Sequence, residues 1–282
     1  MEIRSLEKTG FDELFRAFNL AFADYEVQVN EVQLKTMLKR RGFDPELSFA
    51  AFNDNDDIMA FTLNGIGHFN RIATAYDTGT GTLKEHRGKG LATAIFEASL
   101  PFLKNKGIGQ YLLEVLQHNT KAVSIYNRLG FEINREFYYF IQNNDEIGNE
   151  MKSCDFTVEK IDISAIDEFS DFHDFHPSWQ NSTEAINRAP DDFVALGVSM
   201  ERKIIGYCVF EPLSGDIAQI AIDRPYRRKG AGTLLLREAV NHNKYQTVKV
   251  VNTDISCSSI TGFLKANNID IKGKQFEMIK KI

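Results

Sequence analysis

Residues 86–95 read HRGKGLATAI, and residues 226–235 read YRRKGAGTLL. The two stretches share an Arg-x-x-Gly-x-(Ala/Gly) core, lie about 140 positions apart, and each opens an apolar segment of helical period. Each also follows a strand-like run. Glycine reaches dihedrals that other residues avoid, so successive amide N–H groups can converge on one point, where the following helix adds partial positive charge. That geometry binds phosphate oxygens. Arg87 with Lys89, and Arg227 with Arg228 and Lys229, add full charges around the two turns. One such loop alone can be a mere connection; two in matching contexts argue for a ligand.

Outward from the first turn, the pattern predicts a strand at 2–6, helices at 11–22 and 32–39, and strands at 47–52, 58–64 and 72–77. After it come a helix at 91–103, a buried-looking strand at 111–116, a helix at 120–129 and two closing strands within 133–141. The polar run QNNDEIGNEMK at 142–152 has no apolar period and reads as a linker. The order then restarts. Strands are expected at 156–161, 193–200, 204–211 and 216–222, with a helical stretch at 166–175. Beyond the second turn, a helix at 232–241, a strand at 247–251, a helix at 258–266 and closing strands within 269–279 complete it. A chain of 282 residues exceeds the usual single-core size. The expected organisation is therefore a domain at 1–143, a linker at 144–152 and a second domain at 153–282.

A net charge of -6 argues against a general nucleic-acid binder. The N-terminal MEIRSLEKTGFDELF carries charges where a signal peptide would be apolar, and no run approaches a membrane span. Cys154, Cys208 and Cys257 form no CxxC pair, which fits free thiols in a reducing, cytoplasmic setting.

Other phosphate loops fit less well. Neither copy has the GxxxxGK[ST] of a P-loop, and neither turn sits after an early strand with GxGxxG, as a dinucleotide fingerprint requires. Arg-x-x-Gly-x-(Gly/Ala) after a fourth strand instead resembles the pyrophosphate-binding motif of the GNAT acetyltransferases. Leu83 through Ala92 resembles the end of that family's fourth strand and its loop. Asn119-x-x-Ala122-x-x-x-Tyr126-x-x-Leu129-Gly130-Phe131 resembles its second signature. In the second half, Ile222 through Gly232 repeats the first signature. The resemblance covers both halves and implies two tandem α/β domains of mixed, mostly antiparallel sheets flanked by helices, with acetyl-CoA as cofactor. It places Leu83, Arg87, Gly88, Lys89, Gly90, Leu91, Ala92 and Asn119 at the cofactor. In the second half it places Ile222, Arg227, Arg228, Lys229, Gly230, Ala231 and Gly232 there.

Acetyl transfer from a thioester to an amine needs a neutral amine, a stabilised oxyanion and a protonated leaving thiolate. The resemblance implies that amides near Leu83 polarise the thioester carbonyl and that Tyr126 is the acid for sulfur. Glu114 interrupts the apolar run YLLEVL, where a carboxylate is costly unless used or paired. Leu-Glu-Val with Tyr126 twelve positions after Glu114 resembles the branch that acetylates protein N-terminal amines, in which the matching Glu serves as base. Partial burial would raise its pKa. Core packing for Tyr126, and a solvent-facing or paired Glu114, are the plainer alternatives.

The second half lacks these groups. Phe263 or Leu264 stands for Tyr126, and Val251 or Asn252 for Glu114, depending on register. Cys257 beside serines is a weak substitute acid. Asp77-Thr78-Gly79 looks like an aspartic-protease triplet, but such chemistry needs two; TGTG reads as a turn whose Thr hydroxyls could reach a ligand. His173-x-x-His176 lacks the further ligands of a metal site. Trp179, His173, His176 and Tyr25 could border a substrate cleft. The expected activity is acetyl transfer to a primary amine, on a small molecule or a protein, in the first domain. The expected partners include neither nucleic acid nor membrane, and the expected assembly is a monomer with an internal pseudo-dimer. Two other readings stay open: a non-catalytic acyl-CoA sensor or scaffold, and two active domains with different amines.

Overall fold

Residues 1–24, 28–148 and 156–282 are described by a computed structural model, and in both halves the glycine turn joins a strand to a helix. Tyr25 and Cys154 lie outside the described residues, as does much of the expected linker. The first half runs β1 (Glu2–Ser5), α1 (Phe11–Ala21), α2 (Glu31–Arg41), β2 (Phe49–Phe52), β3 (Ile58–Phe69), β4 (Ile72–Thr82), α3 (Leu91–Asn105), β5 (Gln110–Leu116), α4 (Thr120–Arg128) and β6 (Glu132–Asn143). The second runs β7 (Thr157–Lys160), α5 (Thr183–Arg188), β8 (Val194–Met200), β9 (Lys203–Glu211), β10 (Asp216–Ile222), α6 (Ala231–His242), β11 (Thr247–Asp254), α7 (Ser258–Ala266) and β12 (Ile271–Lys281).

The mixed α/β architecture follows from the patterns. Phe11, Leu14, Phe15 and Phe18 line one stripe of α1, and Phe18 stacks on Phe61 of β3 at 6.0 Å between ring centroids. Leu91 and Ile95 of α3 pack on the opposite face, with Phe49, Ala51 and Met59. β2 and most of β3 are therefore buried on both sides, as their near-continuous apolar runs require. Helix α2 begins in a capping box of Asn30 with Gln33 and ends at Gly42 in the left-handed region, φ 78°.

Some expectations fail for physical reasons. The closing strand pairs of each half are single strands, β6 and β12. The stretch expected to be helical at 166–175 is a succession of 3₁₀ turns, Ile163–Phe172. Asp77-Thr78-Gly79-Thr80 is extended β4 rather than a turn. It carries a bulge: Asn64 pairs with Asp77 and Leu63 with Gly79, leaving Thr78 over. The Thr78 carbonyl, freed from the ladder, accepts Arg41 Nη1 at 2.9 Å.

The two compact units do not divide at the polar run. One comprises Met1–Asn134 with Glu277–Ile282, the other Arg135–Phe276. The expected boundary at 143 fails because β6 finds its hydrogen-bond partner on β11, with Asn143 opposite Thr247 and Phe137 opposite Asp254. In the first unit the sheet order is β1-β2-β3-β4-β5, and residues from Glu277 onward complete it. Ile282 N–H donates to Gly109 O at 3.1 Å, and Asn134 Nδ2 donates to the buried Glu277 at 2.6 Å. Lys280 Nζ donates to Leu129 O at 2.7 Å, placing a cation at the C-terminal end of α4. In the second unit the order is β6-β11-β10-β9-β8-β7.

Both units contain a fork. β4 and β5 run parallel but pair only from Thr74–Gln110 to Tyr76–Leu112, and then part. β10 and β11 share the single registered pair Asp216–Lys249. Among the described residues no helix is long and apolar enough to cross a membrane.

Candidate active site

Gly88 and Gly90 adopt φ of 78° and 76°, and Gly90 is the N-cap of α3. A Cβ at either would meet nothing within 4 Å, so backbone conformation, not crowding, calls for glycine. In the second unit Gly230 (φ 97°) caps α6, while Arg228 occupies the left-handed region at φ 62°. A non-glycine residue there costs about 1–2 kcal/mol. Helices α2, α4 and α5 are capped by the side chains of Asn30, Asn119 and Ser182, whereas α3 and α6, like α1 and α7, have no side-chain cap. The first-turn amides of α3 and α6, from Leu91 and Ala92 and from Ala231 and Gly232, have no carbonyl partner within their own helix and lie at its positive end, beside the open space around Gly90 and Gly230. That fits a diphosphate.

The motif arginines do something else. Arg87 donates from Nε to Thr82 O (3.2 Å), from Nη1 to Asp24 (2.8 Å) and from Nη2 to Ala21 O (2.8 Å). Arg227 repeats this with Ile222 O (2.8 Å), Asp174 (2.6 Å) and Phe172 O (2.8 Å). Each guanidinium is committed to protein acceptors and braces the turn against the preceding strand. The backbone amides of the turns and the exposed Lys89, Arg228 and Lys229 are the donors that could meet a phosphate. Lys229 lies over the Tyr226 ring at 5.4 Å.

Leu83 is likewise displaced from its expected role. Its N–H donates to Met59 O at 3.0 Å. By the alternation of an antiparallel pair, the amides of Thr80 and Thr82 then face the fork. The second unit repeats the arrangement: Asp223 N–H donates to Ile205 O, and Ile220 and Ile222 line a cleft. Asn119 caps α4 by accepting Ala122 N–H at 3.2 Å, so its carbonyl oxygen is already used.

Tyr126 is half-buried on α4, its ring 5.6 Å from that of Phe131, and its hydroxyl donates to Asp77 Oδ2 at 3.0 Å. Thr80 donates to the same oxygen at 2.9 Å. Burial pushes the Asp77 carboxyl up, against these two hydrogen bonds and Arg41, which lower it. Asp77 Oδ1 is shut from solvent without a hydrogen-bond partner. Glu114, half-buried on β5, accepts a hydrogen bond from Tyr76. Asp77 and Glu114 both act on Tyr76, and Asp77 and Tyr126 both act on Tyr111, so these five polar groups form one cluster beside the fork.

The structure settles the register of the second unit. Phe131 N–H donates to Tyr126 O, and Ile269 N–H to Leu264 O, each at 3.0 Å. Leu264, fully buried, therefore stands for Tyr126. Ala218 is the residue left over in the β10 bulge, as Thr78 is in β4, so Ile217 stands for Asp77. A bulge in β11 at Asn252, φ 59°, makes both candidates for Glu114 correct: Val251 counted from the strand start, Asn252 from its end. Gly232 sits close against Phe263, and a Cβ added to it would lie 3.1 Å from the ring.

The second unit nevertheless has a cleft of about 790 Å³. It joins the Gly230 turn, Ile220, Ile222, Cys257 and His173. His173, short of metal partners, is engaged otherwise: its Nε2 meets Tyr207 Oη, and Tyr207 donates to Gln219 Oε1 at 2.7 Å. Gln219 Nε2 donates to Asn181 O at 2.7 Å, which fixes the amide orientation. Tyr207 spends its one proton on Gln219, so His173 carries Nε2–H and keeps Nδ1 as an acceptor. Burial pushes its pKa down to about 4, with Gln219 and Asp174 opposing and His176 and Arg227 assisting. Trp179 is buried under Arg188 instead of bordering the cleft, and His176 bonds the Pro177 carbonyl. Among the described residues no group of three His, Cys, Asp or Glu could hold a metal.

A histidine whose folded pKa lies below its unfolded value contributes stability that is complete above the unfolded pKa, near 6.5, and lost as pH falls toward the folded one. Lowering pH from 7 to 4 should remove on the order of 3 kcal/mol through His173 alone. Urea denaturation across this range checks it, and His173→Gln should flatten that part of the profile.

A forked sheet with an uncapped glycine turn at its mouth is a site fitted to a diphosphate-bearing ligand. The sequence profile of the acetyltransferase (GNAT) family matches residues 12–131 and 159–252. The chain belongs to that family, whose cofactor is acetyl-CoA. It is 34% identical over 102 residues to N-alpha-acetyltransferase 30 of Schizosaccharomyces pombe, covering 36% of this chain and 68% of that one. It is 33% identical over 118 residues to mycothiol acetyltransferase of Renibacterium salmoninarum, covering 39% of this chain and 34% of that relative. Among solved structures, a tandem GNAT protein from the clavulanic acid biosynthesis pathway superposes with a TM-score of 0.74 at 10% identity, over 99% of this chain and 98% of that one.

Proposed function

We propose that the first unit transfers acetyl from acetyl-CoA to a primary amine by direct attack, with Tyr126 as acid and Glu114 as base. The cofactor supplies the activated thioester. Amides of Gly88 through Ala92 hold its diphosphate, and those of Thr80 and Thr82 orient the arm within the fork. Glu114, steadied by Tyr76, takes the proton of the incoming ammonium. Tyr126, held at Asp77 by its hydrogen bond, delivers a proton to the leaving sulfur as the carbon–sulfur bond breaks, and the second proton that the nitrogen sheds as the amide forms restores the tyrosine.

One observation carries this reading. Both units keep the glycine turn, the bracing arginine and the strand bulge, yet Tyr126 and Asp77 are replaced together by Leu264 and Ile217. A hydroxyl–carboxyl pair is superfluous for gripping a cofactor and useful for moving a proton. Two buried free thiols, Cys208 and Cys257, accord with a reducing, cytoplasmic setting.

The likeness to an N-alpha-acetyltransferase supports a protein N-terminal amine as acceptor; that to mycothiol acetyltransferases supports a small molecule. An amine panel resolves this: N-terminal peptides, a lysine peptide, a polyamine and an amino sugar, with thiol release from acetyl-CoA followed. Release above the amine-free rate with one class is expected. Tight CoA binding with no release for any amine would establish the sensor reading instead.

A further inference from the structure

We propose that the second unit is itself an acyl-transfer site, in which Nδ1 of His173 takes the proton of an acceptor amine. The inference shares with the preceding section only the view that the glycine turns hold acetyl-CoA; it is independent of Tyr126 and Glu114.

Three observations converge. First, one cleft of about 790 Å³ connects the α6 turn, through Arg228, Gly230 and Gly232, with Ile220 and Ile222 on the fork edge and with His173. Second, His173, Phe175, Ile220 and Ile260 also line a smaller cavity of about 30 Å³ that runs between β10 and β11 to Val251 and Asn252. The imidazole thus stands where the cofactor groove meets the interior of the fork, the place to which a thioester on that groove would be directed. Third, the ring is held by the polar side chains of Tyr207 and Gln219, anchored on the backbone carbonyl of Asn181, within an otherwise apolar core. Buried polar chains are costly unless every member is satisfied, and this one leaves a single acceptor, Nδ1, on a neutral ring.

The first unit has no counterpart. Arg87 bonds Ala21 O and Asp24, and Arg227 bonds Phe172 O and Asp174, so His173 falls where the first unit has Phe22 and Ala23. Gln219 corresponds to Gly79 across the matching bulges. Each unit therefore holds proton-handling groups that the other lacks. In the step, the amine nitrogen forms a bond to the thioester carbonyl carbon, the carbon–sulfur bond breaks, and the amine proton passes to His173 Nδ1. The thiolate takes a proton from water, and the imidazolium returns its own to solvent.

The test uses the full chain with the first turn blocked by Gly90→Glu, which places a carboxylate over the open space of the cradle. With acetyl-CoA and the amine panel, Gly90→Glu should still turn over at least one amine. Adding His173→Gln, which can keep a hydrogen bond to Tyr207, should lower kcat for it 100-fold or more, with KM for acetyl-CoA within about two-fold. Calorimetry with CoA alone should give two sites per chain in the parent and one in Gly90→Glu. Imidazole ¹⁵N NMR should show His173 at pH 7 as the Nε2–H tautomer, its signals moving when CoA is added to Gly90→Glu. The proposal fails if Gly90→Glu acetylates nothing, if His173→Gln leaves its turnover unchanged, or if CoA leaves the His173 signals unmoved. Loss of all turnover in Tyr126→Phe would contradict this site while sparing the first. Turnover lost in His173→Gln but kept in Tyr126→Phe would do the reverse.

Discussion

Replacing Tyr126 with Phe should lower kcat for the first unit's amine by about 10²–10⁴-fold, the usual worth of a positioned proton donor. CoA affinity should stay within about two-fold. The substitution removes one oxygen and keeps the ring, so the contact with Phe131 at 5.6 Å survives and α4 has no reason to move. What is lost is the hydrogen bond to Asp77. Asp77→Asn should fall in the same range if the pair acts as a unit, and combining the two should cost little more than either alone, since coupled residues are not additive. Steady-state thiol release with calorimetry on CoA checks all three variants. Parent-like kcat in Tyr126→Phe would remove the tyrosine from the mechanism; a reduced kcat with equally weakened CoA binding would make it a packing residue.

The other large effect is expected at Arg227. Arg227→Met keeps the aliphatic stem but forfeits hydrogen bonds to Ile222 O, Asp174 and Phe172 O. Burial would raise the Asp174 carboxyl; hydrogen bonds from Ser259 and Arg227 hold it below its usual range, so removing the arginine leaves an ill-compensated charge. Charge-assisted hydrogen bonds contribute about 1.5–3 kcal/mol each. Allowing for side chains that are 26% and 23% exposed, a loss of about 2–4 kcal/mol is expected. Arg87→Met should cost less, because Arg87 and Asp24 are 40% and 49% exposed and water already screens them. Urea titrations of both variants test the order; an equal or reversed ranking would show that the brace is not what holds the second turn.

The glycine turns are legible in the sequence because their meaning is local: a left-handed glycine before an uncapped helix is written in adjacent residues. The order of strands and helices is legible for the same reason, since apolar period is a property of a window. Asp77 escapes such a reading because its meaning lies in Tyr126, 49 positions away, and an acidic residue in a Thr-Gly run looks like a turn until its partner is known. His173 is legible as a residue that could border a cleft, but its partner Tyr207, 34 positions off, is not. The motif arginines point to phosphate in the sequence because charge is visible there whereas backbone carbonyl acceptors are not. The register of the second unit is ambiguous because a bulge at Asn252 adds a residue without altering the pattern. Strand partnership is out of reach, because β6 would suit the edge of either sheet.

That partnership bears on how the polypeptide emerges from the ribosome. The first unit includes Glu277–Ile282, so it stays incomplete while some 140 intervening residues are translated, and closing so long a loop is entropically slow. A fragment severed at the polar run would carry β6 without its ladder and lack the lysine that tethers the tail of α4. Each unit thus draws a strand from the other half of the chain, so a cut at the polar run leaves both sheets short of one.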